Sequence, residues 1–228
     1  MADSLRITEP TGPAVLTGGV GEFGQRVAGF LSDWLPQGAE YKVGDGLGAA
    51  FCAASSAVVL ALWRPEPDLC EQADELAFQH QIAWLPVIME HPVVRIGPLV
   101  DPATGPCFRC YSRRRAQHDR QPWITVTLHA SYRRDQDWGP AGYLPHQARM
   151  ASAVALRALA GHTLAPASRC EDRATGEVAT IGLVAGGLSV SPVIACHNCD
   201  RCTPAKVGAA QPFARLDWIR RLATGASR

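Results

Sequence analysis

An α/β fold with a mostly parallel sheet is what this sequence predicts, and three observations carry the prediction. A short apolar strand beginning at Ala14 runs through a glycine turn into an amphipathic helix. Two continuous apolar runs, residues 57–63 and 83–89, read as strands buried on both faces, as parallel strands under crossover helices are. A helical pattern lies between them, so strand and helix alternate over residues 14–90, which favours right-handed crossovers in one sheet.

The first element is Ala14-Val15-Leu16-Thr17 leading into Gly19-x-Gly21-x-x-Gly24. Val27, Phe30, Leu31 and Trp34 follow on one helical face, and Pro36 and Gly38 end the helix. Strand, glycine turn and helix in this order are Rossmann-like. Gly19, Gly21 and Gly24 allow a tight turn and close packing, and the helix N-terminus suits an anion. The same glycines also serve a turn that binds nothing. Residues 39–43 read as the second strand. Asp45 stands at a distance suited to a ribose-binding carboxylate, but within Gly44-Asp45-Gly46, which reads equally as a turn.

Pro65 and Pro67 break the 57–63 run, and Asp68 reads as the N-cap of a helix over 69–79. After the 83–89 strand, residues 93–100 are strand-like and 101–106 form a Pro/Gly turn. Residues 112–122 are a polar, Arg- and Gln-rich stretch, and 123–144 carry no clear pattern. Residues 144–159 read as a helix with Ala148, Ala151, Ala155 and Leu159 in register, stopped at Gly161. Residues 177–184 and 188–194 read as a C-terminal antiparallel hairpin joined at Gly186-Gly187. A short helix is expected over 212–222.

The chain has 228 residues, 47% apolar and 19% charged, with a net charge of +1. That composition predicts a packed core and argues against a broad nucleic-acid footprint. Arg113-Arg114-Arg115 reads as a solvated face. No apolar stretch approaches the roughly 20 residues of a membrane span, and the N-terminus lacks a signal-peptide pattern. A cytoplasmic protein is therefore expected, and its eight cysteines suggest reduced thiols and metal rather than disulfides.

Two Cys-x-x-Cys pairs, Cys107/Cys110 and Cys199/Cys202, supply the four thiolates of a tetrahedral structural Zn²⁺. Redox exchange at one pair would leave the other idle. Unliganded or disulfide-linked thiols are the plain alternative. The second pair overlaps with Cys196, in Cys196-x-x-Cys199-x-x-Cys202, and His197 is a fifth candidate. Cys199 and Cys202 are preferred because the strand ends near Ala195 and, in the family that the chain resembles (given below), the pair lies a few residues beyond it. Asp200 and Arg201 then sit on a turn where exposed charge is tolerated. The other histidines show no metal spacing.

The order of parts resembles the ThiF-like, ubiquitin-activating-type fold. More narrowly, it is similar to the ThiF-like cyclodehydratase partner proteins of ribosomal-peptide biosynthesis, the TOMM precursor leader peptide-binding group. The residues that carry the resemblance are Gly19-Val20-Gly21-Glu22-Phe23-Gly24, Ile96-Gly97-Pro98-Leu99-Val100, Gly105-Pro106-Cys107-Phe108-Arg109-Cys110 and Cys199-Asp200-Arg201-Cys202. The expected organisation is an extension at 1–12, a ThiF-like domain at 13–203 and a tail at 204–228.

The resemblance implies a structural zinc, a homodimer, and delivery of a precursor peptide to a YcaO-type ATP-dependent cyclodehydratase. Leader-binding members carry an extra N-terminal winged-helix domain. Few residues precede the first strand here, so leader recognition is expected on another chain or surface. Adenylating relatives carry an Asp-Asn-Leu-Asn-Arg-Gln-like segment that serves ATP and Mg²⁺. The matching residues 44–52 hold one carboxylate, Asp45, with no arginine and no amide. Positioned cations and metal-holding carboxylates are what such transfer needs. The expected function is thus a non-catalytic scaffold. The alternatives are a minimal adenylating enzyme holding ATP at Gly19, Gly21, Gly24 and Asp45, and a nicotinamide-dependent oxidoreductase.

Overall fold

The computed structural model describes residues 14–163 and 176–202, apart from Ala185 and the side chain of Asp45. The expected extension, the tail and the helix over 212–222 lie outside the described residues. The first half alternates β1 (Val15–Val20), α1 (Gly21–Trp34), β2 (Gly38–Glu40), α2 (Leu47–Ala53), β3 (Ala57–Leu62), α3 (Pro67–His80) and β4 (Ala83–Glu90). There follow β5 (Val93–Ile96), α4 (Phe108–Gln117), α5 (Pro122–Arg134), α6 (Pro145–Thr163), β6 (Glu177–Gly182) and β7 (Leu188–Pro192).

One seven-stranded sheet runs in the order β2-β1-β3-β4-β5-β6-β7. Its first four strands are parallel, and β5, β6 and β7 are antiparallel. The sheet is therefore mixed, and only its first half is parallel. The reason is the short turn at His91-Pro92, which folds β5 straight back on β4 and leaves no room for a crossover helix.

Period-two alternation sorts the buried strands onto two cores. Ala57, Val59 and Ala61 face the core under α1 and α6, whereas Val58, Leu60 and Leu62 face the one under α2 and α3. All six are fully buried. Each large apolar side chain buried this way is worth about 1.5–3 kcal/mol. Helix α1 contributes Phe23, Val27 and Leu31 to the first core, while Phe30 and Trp34 stack on each other at its flank. Ala148, Ala151, Ala155 and Leu159 face the core shared with α1, and the three alanines let α6 lie close against that helix.

Several elements differ from the sequence reading. Strand β2 covers Gly38–Glu40 rather than 39–43, and a 3₁₀ turn at Val43–Asp45 leads into α2, for which the sequence reading has no element. The N-cap of α3 is Glu66, because Pro67 takes the first helical position; Asp68 sits in the first turn and pairs with Arg133 at 2.7 Å. Strand β5 stops at Ile96, since Gly97 turns to a φ of +99° and Pro98 has no N–H to donate. Residues 108–134 fold as α4 and α5. Helix α6 continues through Gly161 to Thr163. Among the described residues no helix is long and apolar enough to cross a membrane.

Candidate functional site

The four cysteines singled out by spacing come together. The turn after β5 ends at Cys107, which is the N-cap of α4, so Cys110 lies in the first turn of that helix. Strand β7 leads the chain back to Cys199 and Cys202. Cys107 Sγ lies 3.7 Å from Cys110 and 3.6 Å from Cys199, and Cys110 lies 3.5 Å from Cys202. All four sulfurs lie within 4.8 Å of one another and all four residues are buried. These contacts are far longer than a disulfide bond of about 2.05 Å. Sulfurs about 2.3 Å from a central zinc stand about 3.8 Å apart at the corners of a tetrahedron, so the set could hold a metal ion such as zinc.

The neighbouring candidates play other parts. Cys196 gives its backbone N–H to Cys110 Sγ at 3.2 Å, the kind of hydrogen bond that steadies a thiolate, while its own thiol faces the Cys110 carbonyl oxygen at 3.8 Å. His197 is exposed. Hydrogen bonding with Cys202 and burial raise the Cys107 thiol well above its ordinary range, and burial pushes Cys110 up to about 12. A metal ion bound there would displace those protons.

A charge network that the spacing does not reveal braces both knuckles against α3. Asp74 is fully buried; its Oδ1 accepts the Trp84 indole N–H at 3.2 Å and the Phe108 N–H at 2.9 Å, and its Oδ2 accepts Arg201 at 2.8 Å. Burial pushes the Asp74 carboxyl above the ordinary carboxylate range, and Arg201 and the Phe108 amide oppose that push. Glu71 pairs with both Arg109 and Arg201, and Arg109 also reaches Asp200 at 2.8 Å. The expectation of two exposed charges on the second turn therefore holds for Asp200 and fails for Arg201, whose side chain is only 10% exposed. Its buried partner is the reason. The available signal was Asp74 itself, a carboxylate in helical register with the apolar Cys70, Ala73 and Ala77.

The glycine turn lies elsewhere, at the start of α1, and each glycine has a packing reason. A Cβ on Gly19 would meet the α1 backbone at 2.2 Å, and one on Gly24 would meet the Ala61 carbonyl oxygen of β3 at 2.4 Å. Gly21 has a φ of +70°, and a Cβ there would lie 2.3 Å from the Trp63 ring. The indole thus covers the turn, and the Tyr41 ring covers Gly18 in the same way. Arg64, beside Trp63, is buried and bonds the carbonyl oxygens of Tyr132, Asp135 and Trp138, which ties the end of α5 over the ends of the parallel strands. Glu22 in the first turn of α1 accepts the Tyr143 hydroxyl. The backbone of Asp45 lies in the 3₁₀ turn, and its side chain lies outside the described residues. Gly21→Ala is expected to cost about 1–3 kcal/mol from the left-handed backbone and the indole contact together. Chemical denaturation measures it, and Trp63→Ala in the same chain should recover only the contact share.

No family model matches the chain, and no curated protein matches it. Solved structures do match in fold. The heterocyclase TruD superposes with a TM-score of 0.61 at 18% identity, over 84% of this chain and 27% of that one. A chain of the E. coli microcin synthetase McbBCD complex gives 0.54 at 15% identity, over 85% and 70%. E. coli MccB with ATP gives 0.53 at 11% identity, over 83% and 66%. The chain spans about a quarter of the heterocyclase chains it matches. These similarities define a shared α/β fold.

Proposed function

We propose that this chain, as one ThiF-like unit over residues 13–203, is a zinc-stapled partner protein in ribosomal-peptide biosynthesis. It docks a precursor peptide, a YcaO-type cyclodehydratase or both, and does not itself adenylate. One observation carries the second half of this reading: Trp63 lies on Gly21, where a phosphate would have to approach the helix N-terminus. The only carboxylate of residues 44–52 sits in a turn without arginine or amide neighbours in that segment. Four buried thiolates fill a tetrahedral ion and leave no open position for chemistry, which supports a structural rather than a catalytic zinc.

The adenylating alternative is favoured by the fold similarity to MccB, whose structure was determined with ATP. Two measurements separate the readings. Zinc-loaded protein should show ATP–pyrophosphate exchange at background, with and without candidate peptides, and should co-purify with a YcaO-type enzyme encoded beside it. Exchange above background that Gly19→Ala abolishes would establish the adenylating enzyme instead.

A further inference from the structure

A cavity of about 300 Å³ opens between α3, α4 and α5, beyond the carboxyl ends of β3 and β4. Sites outside the carboxyl ends of parallel strands are where open α/β sheets bind ligands. Pro65, Pro67, Cys70, Ile88, Phe108 and Tyr111 give it apolar walls. It is separate from the glycine turn and from the four thiols.

The charged groups around it are already committed. Glu66 holds Arg64, Glu90 holds both Arg95 and Arg115, and Asp119 accepts the Thr125 hydroxyl and the Gln121 N–H. The one lining arginine is thus neutralised, and three carboxylates surround the opening. That lining repels a phosphate or a carboxylate and offers no free charge to a cation.

Three further polar side chains line it, Ser112, His129 and Tyr111, and of these only Tyr111 is buried. Tyr111 is more than nine-tenths buried; the Arg115 guanidinium lies close enough to donate toward its oxygen, but no acceptor among the described residues takes its O–H proton. A buried O–H without an acceptor is a standing cost, which a ligand supplying an acceptor removes. The side chain is firmly placed. Tyr111 N–H bonds the Cys107 carbonyl oxygen, and its ring packs on Phe108, which packs on Trp84.

From this geometry we infer that the cavity receives one large, uncharged side chain of a peptide, with Tyr111 Oη donating to a carbonyl oxygen of that peptide's backbone. The volume lies at the small end of the range of about 300–1,000 Å³ seen for ligand pockets, as suits a single side chain. The choice of a peptide rests on the partner reading above. The cavity would place that peptide on a helix whose N-cap is Cys107.

The test uses the full zinc-loaded chain with N-acetyl-L-phenylalaninamide as probe and N-acetyl-L-aspartamide as control, followed at the Ile88 methyl group by NMR. The expected result is a saturable shift with the first and none with the second. Tyr111→Phe should weaken the phenylalanine probe about threefold to tenfold, the loss of one hydrogen bond, while leaving the free protein's unfolding midpoint unchanged or higher. Ala116→Trp, a substitution at an exposed position on the rim, should abolish the shift. No shift at the probe's solubility limit overturns the inference. So does equal binding by the Tyr111→Phe protein, or full binding after Ala116→Trp. A cavity that binds the probe in a protein that captures no cyclodehydratase would keep this inference and remove the partner reading; the reverse pattern would do the opposite.

Discussion

Cys110→Ser is expected to release the metal ion and to lower the thermal midpoint by more than about 10 °C. A structural zinc contributes apparent binding energies of about 10–16 kcal/mol in small domains. In a chain of this size each kcal/mol corresponds to about 2–4 °C. The two cores of the sheet do not depend on the thiols, so part of the fold should survive and the loss should fall short of the full binding energy. Cys199→Ser should behave alike. Cys196→Ser should keep its metal, because that residue offers Cys110 only a backbone N–H, which serine retains. Metal content by mass spectrometry and calorimetry on the same samples check this. If Cys196→Ser lost the ion and Cys202→Ser held it, the ligand set would have to move to the first overlapping pair.

Asp74→Ala should cost about 3–5 kcal/mol, the range for removing one partner of a buried ion pair. At about 2–4 °C per kcal/mol that is a fall of about 6–20 °C. The loss has three parts: Arg201, nearly buried, loses its buried carboxylate and keeps only the half-exposed Glu71, and the Trp84 indole and the Phe108 amide lose their acceptor. Asp74→Asn should be milder, since its side-chain oxygen can still accept from Trp84 and Phe108. Combining Asp74→Ala with Arg201→Met removes the stranded charge and should recover part of the loss. A double variant no more stable than Asp74→Ala alone would show that the stranded charge is not the cause.

Much of this architecture was legible before any coordinates. The runs at 57–63 and 83–89 read as buried strands because both faces of β3 and β4 are covered, and Ala148, Ala151, Ala155 and Leu159 marked the buried face of α6. The four thiols were legible because their chemistry depends on spacing alone. Helices α4 and α5 were not, for a physical reason. Helix α4 buries Phe108, Cys110 and Tyr111 in its first turn only, and α5 buries Tyr132 alone, so neither carries a sustained apolar stripe. The cover over the glycine turn was hidden for another reason. Gly21 and Trp63 meet across the sheet, and no local pattern in the sequence announces a contact between residues so far apart. Arg201 misled because a charged residue on a turn is usually solvated, and only the fold puts a buried carboxylate beneath it.

Cys107 and Cys199 are 92 residues apart, with α4, α5, α6, β6 and β7 between them. On a ribosome the first pair emerges long before the second, and alone it offers an ion only two thiolates. Full coordination waits until β6 and β7 have joined the edge of the sheet and returned the chain to α4. With the zinc proposed above, metal uptake would be a late event in the life of each molecule, and stalled or truncated chains should leave the cell's zinc pool almost untouched. The ratio of zinc to polypeptide in a freshly made preparation then counts the molecules that finished folding.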